Sequence, residues 1–177
     1  MRTSFNGVTI ELVNGDITEQ SDIEAVVNAA NAQLKSGGGV AGAIHQKAGP
    51  RLEKACRPMA PISPGEAVIT EAFELPNRYV IHTLGPVYGR DKPESKLLNQ
   101  AYQNSLKLAE ENKIKSIAFP AISTGAFGYP MKEAAEISLK NIKKKAPQLN
   151  FIKTIRFVLY SSNDLKIYQN QAQKIFD

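Results

Sequence analysis

IEAVVNAANAQLKSGGGVAGAIHQKA, residues Ile23–Ala48, is the stretch on which the fold turns. Its opening, Ile23 to Val27, has the length and apolar character of a short buried strand. Small residues then run from Asn28 to Gly39 and end in three consecutive glycines. A helix is expected from about Val40 to Ala48. A strand that passes through glycines into a helix start is one corner of an α/β unit. In such sheets ligands bind beyond the carboxyl ends of the strands. Function is therefore to be sought in the loops that follow strands.

Working outward, the pattern repeats. Val8 to Val13 (VTIELV) is β-rich and ends at the Asn14-Gly15 turn signal. Pro58, Pro61 and Pro64 break the region after the first helix into a loop. Ala67 to Ala72 and Arg78 to Leu84 read as strands. Leu97, Leu98, Ala101, Leu106 and Ala109 give Glu94 to Glu111 helical spacing. Ser116 to Phe119 is a strand, and Ala121 to Tyr129 a glycine-containing loop. Pro130 stands at the first turn of a helix that runs to about Lys145. Thr154 to Tyr160 closes the set of strands, and Leu165 to Ile175 is a last helix. Strands alternating with helices define an α/β fold with a mostly parallel or mixed sheet, in one domain spanning 1–177.

Composition narrows the function classes. A chain of 177 residues is ordinary for one domain and needs no disulfide or metal staple. Its 42% hydrophobic and 22% charged residues exclude a disordered chain. Cys56 is the only cysteine, so no internal disulfide is possible, and no Cys/His cluster has zinc spacing. No apolar run suits a signal peptide or a membrane span. These features point to a reducing, cytoplasmic setting. The net charge of +5 favours anionic partners. Lys143-Lys144-Lys145 reads as a solvated helix end, where cations suit the dipole. Basic and aromatic residues are not interleaved on strands, which argues against nucleic acid.

Three loops after strands stand out: Gly15-Asp16-Ile17-Thr18, Asn28 to Gly42, and Ser123-Thr124-Gly125-Ala126-Phe127-Gly128-Tyr129. The last two pass through glycines into helix starts. Glycine lets a ligand approach the main chain, and successive N–H groups ahead of a helix make an anion-binding concavity. Two such loops on one sheet edge suit the two halves of a diphosphate. Gly37-x-Gly39-x-x-Gly42 matches the dinucleotide fingerprint literally, but nine residues separate it from its strand. The Pro-rich region beyond it supplies no acidic residue at a second strand end, so an NAD site is not expected. No Walker A loop occurs.

Polar residues near these loops have two readings each. Asp16 can accept from an exocyclic amine such as adenine's, or stabilise its own turn. Asn31 can bond ribose hydroxyls, while Asn28 is expected to brace its neighbours. Tyr160 can stack on a base or pack on the sheet. Phe127 is read as a ligand contact. His45 and the strand residue His82 are expected to be structural, and Cys56 inert.

Six stretches in order, VNGDIT (13–18), AVVNAAN (25–31), SGGGVAGAIH (36–45), VIHTLGPVYG (80–89), IAFPAISTGAFGYP (117–130) and FVLYSSND (157–164), make the chain resemble a macro domain over essentially its whole length. The resemblance implies a three-layer α/β/α fold with a six-stranded mixed sheet, and ADP-ribose in a cleft at its crest. Asp16 would then hold the adenine amine with Ile17 beside it, and Tyr160 would lie against the adenine ring. Gly39 and Val40 would contact the diphosphate from one side. Ser123, Thr124, Gly125, Ala126 and Phe127 would wrap the other side and the distal ribose. Asn31 would bond that ribose, with Gly37 and Gly38 as its floor. One departure matters. MacroD-type hydrolases carry Asp where this chain has Ala41, a residue shared with viral and some archaeal-type members. The viral group's His before the glycines is Ser36 here.

The implied activity is hydrolysis of ADP-ribosyl esters, on mono-ADP-ribosylated Asp or Glu of proteins or on O-acetyl-ADP-ribose. It would proceed through a positioned water, without cofactor or metal, with Asn31 and Gly38 nearest the chemistry. No Ser-His-Asp or Cys-His set is evident near these loops. The alternative is a non-catalytic reader of ADP-ribose or ADP-ribosylated proteins, which Ala41 favours. A monomer without membrane association is expected.

Overall fold

The computed structural model describes all 177 residues. At its start Asn6 and Gly7 both lie in the left-handed region (φ 48° and 78°). Positive φ at both central residues is what a two-residue hairpin turn requires. The turn folds β1 (Arg2–Phe5) back along β2 (Val8–Asn14), pairing Phe5 with Val8. This strand makes the sheet seven-stranded rather than six. The Asn-Gly dipeptide after it was the available signal, but two exposed and two half-buried residues carry no strong strand pattern.

The other strands are β3 (Ala25–Ala29), β4 (Ala67–Glu71), β5 (Tyr79–Thr83), β6 (Ser116–Phe119) and β7 (Thr154–Leu159). They assemble in the order β1-β2-β7-β6-β3-β5-β4. The five inner strands run parallel, and each edge strand is antiparallel to its neighbour. The sheet is therefore mixed, with β2, β7, β6, β3 and β5 ending on one side.

Side chains of β3 alternate between two cores, because successive residues of a strand point to opposite faces. Ala25 and Val27 join the core beneath α3 (Glu94–Glu111), α4 (Met131–Lys145) and α5 (Ser162–Phe176). Val26 joins the core beneath α1 (Gly39–Ala48) and α2 (Pro50–Cys56), where Ile44, Leu52 and Cys56 are fully buried. The result is a three-layer α/β/α fold. Helix α2 is absent from the periodicity, since seven residues are too few to display it. Gly49 (φ 83°) ends α1 and Pro50 opens α2, a glycine-then-proline junction that suits a helix stop followed by a helix start. Helix α5 begins earlier than its apolar spacing suggests, because the Ser161 hydroxyl accepts from the Asp164 amide at 3.1 Å. The lysine run 143–145 is the last turn of α4, as its charge predicts.

Candidate functional site

A cavity of about 340 Å³ opens at the carboxyl ends of the central strands. Its lining comes from the end of β3 (Ala29, Ala30, Asn31), the glycine loop and first turn of α1 (Gly37 to Ala41), Gly85 after β5, and the loop after β6 (Ala121 to Ser123 and Gly125 to Phe127). No lining side chain carries a charge. Asn31 and Ser123 supply the only polar side chains.

Positive potential comes instead from the backbone. Helix α1 starts at Gly39 (φ 57°) behind Gly38, with no side-chain cap and no acidic residue in its first turn. Its leading N–H groups have no partner within the helix, and the helix end carries about half a positive charge. The amides of Gly37 and Gly38 also donate to nothing in the chain. Across the cavity, the loop after β6 is closed by Gly128 N to Gly125 O at 3.0 Å and Tyr129 N to Ser123 O at 2.8 Å. The amides of Gly125, Ala126 and Phe127 stay free. Two sets of unpaired donors thus face a neutral cavity.

Close packing of backbone holds this geometry. A Cβ on Gly42 would lie 2.2 Å from the Gly37 carbonyl oxygen, so the glycine loop rests directly on α1. A Cβ on Gly85 would lie 2.1 Å from Ser123 Oγ and 2.6 Å from Ile122 Cγ2. The loop after β6 is also anchored from below. Buried Tyr102 of α3 donates to Pro120 O at 3.3 Å and accepts from Ile122 N at 3.2 Å. Burial raises the Tyr102 phenol well above its usual range, so it remains the protonated donor. Ser123 itself has φ 67°, a costly conformation for a residue with a side chain. Its buried hydroxyl has no partner in the chain.

The residues expected to act are placed as follows. Asn31, Gly37, Gly38, Gly39, Val40, Ser123, Gly125, Ala126 and Phe127 all line the cavity. Thr124 does not, because its hydroxyl turns back to Ala121 O at 2.7 Å. Asp16, Ile17 and Tyr160 lie outside the cavity, at the adjoining ends of β2 and β7, where Asn14 pairs with Leu159. Asp16 Oδ1 accepts from Thr18 N at 2.8 Å and Thr18 Oγ1 at 2.7 Å, so the turn-stabilising reading holds for that oxygen. Ile17 is buried. Tyr160 follows β7 rather than ending it, and the residue is 93% exposed, which excludes packing on the sheet. Asn31 is engaged by the main chain: Nδ2 donates to Lys35 O at 2.8 Å and Oδ1 accepts from Lys35 N at 3.1 Å.

Sequence reasoning passed over Ala29, Ala30, Gly85, Ala121 and Ile122, and treated Ala41 only as a departure. Small residues after strand ends were the signal available for them. Asn28 and His82 bond to one another within the sheet. Asn28 Nδ2 donates to His82 Nδ1 at 3.1 Å across paired strands. His82 Nε2 is then the protonated nitrogen and donates to Thr70 Oγ1 at 2.9 Å. Burial, with His45 nearby, drops the His82 pKa to about 3. His45 is buried, lies outside the cavity and is likewise shifted down by burial, against a smaller opposing pull from Glu53. Burial pushes the Cys56 thiol up to about 11, so it is not a nucleophile at neutral pH. No helix is long and apolar enough to cross a membrane.

Comparison with known proteins agrees with this fold. The Macro domain family model matches residues 27–138. An O-acetyl-ADP-ribose deacetylase of Klebsiella pneumoniae is 46% identical over 164 residues, 90% of this chain and 93% of that protein. A macro domain-containing protein of Chlorobaculum tepidum is 45% identical over 165 residues, 93% of this chain and 95% of that protein. The Oceanobacillus iheyensis macrodomain solved with ADP superposes with a TM-score of 0.95 at 42% identity, covering 99% of this chain and 96% of that one. The Trypanosoma brucei macrodomain in complex with ADP-ribose gives 0.85 at 37% identity, covering 91% and 68%. The chain belongs to the macro domain family.

Proposed function

We propose that this chain is a single macro domain over 1–177 that binds ADP-ribose in the cleft and hydrolyses ADP-ribosyl esters, including O-acetyl-ADP-ribose and mono-ADP-ribosylated Asp or Glu of proteins. The observation that carries the reading is the uncharged cavity flanked by two sets of unpaired backbone amides. That arrangement fits a diphosphate, whose charge suits the helix end, with a sugar on a floor of glycines. The 46% identity to an O-acetyl-ADP-ribose deacetylase supports the reaction class.

In this reading the adenine lies outside the cavity, its amine on Asp16 beside Ile17 and its ring under exposed Tyr160. Gly37 to Val40 and Gly125 to Phe127 donate to the diphosphate. The distal ribose rests on Gly37 and Gly38 within reach of Asn31 and the free Ser123 hydroxyl. Asn31 retains one N–H and one lone pair after its bonds to Lys35. Water adds to the ester carbonyl and the acyl–oxygen bond breaks. The products are a carboxylic acid and a ribose hydroxyl. Positioning and preorganised donors lower the barrier by several kcal/mol in such sites without a strong base.

Calorimetric ADP-ribose binding and turnover of O-acetyl-ADP-ribose and of a glutamate-linked mono-ADP-ribosylated protein test this on one sample. Binding with release of free ADP-ribose is the expected result. Asn31→Ala should then lower turnover more than binding, and equal losses would end its assigned role. A second reading, a non-catalytic reader, is favoured by one observation: no titratable side chain lines the cavity. Binding without turnover on either substrate would establish that reading instead.

A further inference from the structure

Between β3 and the glycine loop the chain makes one tight reversal, and Asn31 stands at its start. Leu34 N donates to Asn31 O at 3.1 Å and closes the turn. The next residue then meets the Asn31 side chain with both of its main-chain groups. Lys35 N donates to Oδ1 at 3.1 Å, and Lys35 O accepts from Nδ2 at 2.8 Å. Hydrogen bonds are directional, so two of them to one residue fix the plane of the amide as well as its place. The second N–H and the second lone pair of Asn31 keep the directions this pairing leaves them. A Cβ on Gly37 would lie 3.4 Å from Asn31 Nδ2, so the glycine loop stands against the same amide.

Leu34 is what turns Lys35 back onto Asn31. Its φ of 54° lies in the left-handed region. Glycine and asparagine enter that region readily, and other residues do so at a cost. Neither stands here. The leucine is 1% exposed and belongs to the core beneath α1 and α2, with Ile44 and Leu52. A costly backbone conformation persists only where its surroundings over-determine it. The buried side chain does so from below. Ile62 N, bonded to Ala32 O at 2.9 Å, pins the middle of the turn from the loop after α2. Glycine at 34 would allow the reversal but would not anchor it.

We propose that Leu34 is a positioning residue for the reaction: its buried side chain holds the reversal that clamps Asn31 on Lys35. The inference rests on the reading that Asn31 bonds the distal ribose in the cleft. Leu34 itself does not line the cavity. Its influence therefore falls on the distal ribose and on turnover, and spares the adenine and diphosphate. ADP, which has no distal ribose, separates the two.

Three conservative substitutions separate backbone from core. Leu34→Val stays apolar but puts a β-branched residue at positive φ, where it is least tolerated. Leu34→Met keeps the volume and an unbranched Cβ. Leu52→Val trims the same core from α2, outside the turn. Each full-length variant is measured for kcat and KM on O-acetyl-ADP-ribose and for calorimetric affinity toward ADP-ribose and ADP. NMR follows the side-chain amide protons of Asn31. Leu34→Val should lower kcat about tenfold, narrow the preference for ADP-ribose over ADP, and shift the Asn31 signals. Its ADP affinity should stay within about twofold of wild type. Leu34→Met and Leu52→Val should hold kcat within about twofold and leave the Asn31 signals in place. Where the wild type binds without turnover, the preference for ADP-ribose over ADP replaces kcat as the readout. Equal losses in Leu34→Val and Leu52→Val, or unmoved Asn31 signals in Leu34→Val, overturn the proposal. The wild type alone also tests it, since the Asn31 amide protons should exchange more slowly than those of exposed Asn163, and equal rates overturn it. Absence of ADP-ribose binding by the wild type overturns the cleft reading, and this role with it.

Discussion

Gly38 and Gly42 stand four residues apart and do opposite things. A Cβ on Gly42 would meet the Gly37 carbonyl oxygen at 2.2 Å, and that oxygen is main chain that cannot swing aside. A Cβ on Gly38 would meet nothing within 4 Å, and Gly38 has an ordinary extended backbone (φ −85°). Gly42→Ala is therefore expected to cost about 1–3 kcal/mol of stability and to spoil the glycine loop for any ligand. Gly38→Ala should change stability by less than about 0.5 kcal/mol while weakening ADP-ribose binding, because the added methyl occupies the floor of the cavity. Denaturant titration and calorimetry on both variants decide this, and an unstable Gly38→Ala would assign that glycine to the fold. Residues of this kind were half legible. The run Gly37-Gly38-Gly39 announces a close backbone approach. Which glycine serves the ligand and which serves α1 depends on a contact between chain segments that spacing does not reveal.

At the level of elements, Arg156 ties the adenine side of the site together. From β7 its guanidinium reaches Glu11 on β2 at 2.7 Å and Asp22 at 2.8 and 2.7 Å. It also bonds Gln20 Oε1 at 2.9 Å, and Gln20 Nε2 donates to Asp16 O at 2.7 Å. The Arg156 side chain and that of Glu11 are each 14% exposed, so removing the cation leaves this largely desolvated carboxylate only the exposed Arg2, 3.7 Å away. Arg156→Ala should cost about 2 kcal/mol in urea unfolding and loosen the turn that presents Asp16. Arg156→Lys should recover only part of this, since an ammonium lacks the planar fork that Asp22 grips. A loss under about 0.5 kcal/mol would remove Arg156 from this role. The longer elements were readable from the sequence: α3 has the bounds its periodicity predicts, because an 18-residue amphipathic helix displays its stripe several times over. The short elements β1 and α2 were not, because their signals were junction residues, Asn6-Gly7 and Gly49-Pro50, rather than patterns.

For the whole molecule, pH should act through the histidines behind the sheet. His82 has a pKa of about 3 in the folded chain, against an ordinary value of 6.5. Between those values the unfolded chain binds a proton that the folded chain refuses. Stability therefore falls as pH drops from about 6.5 toward 3, by about 2 kcal/mol between pH 7 and pH 5 from His82 alone. His45, lowered by the same cause, adds to the loss. Urea midpoints at the two pH values should show it, and His82→Gln should flatten most of the slope. A wild-type midpoint independent of pH over that range would contradict a buried neutral His82.

Alternation of strands and helices, the order of the motifs and the small residues after each strand lie in the sequence itself, so fold class, family and the glycine-lined cleft could be read from it. These are local properties: a strand's hydrophobic run, a helix start and a glycine's freedom need no neighbour to be recognised. The tertiary structure alone decided that Asn31 is held by Lys35, that Thr124 turns away from the cavity, and that Ser123 carries an unpaired buried hydroxyl. Those facts depend on which side-chain atoms meet across segments far apart in the chain, and hydrogen-bond geometry over a few tenths of an ångström is set by packing rather than by residue order.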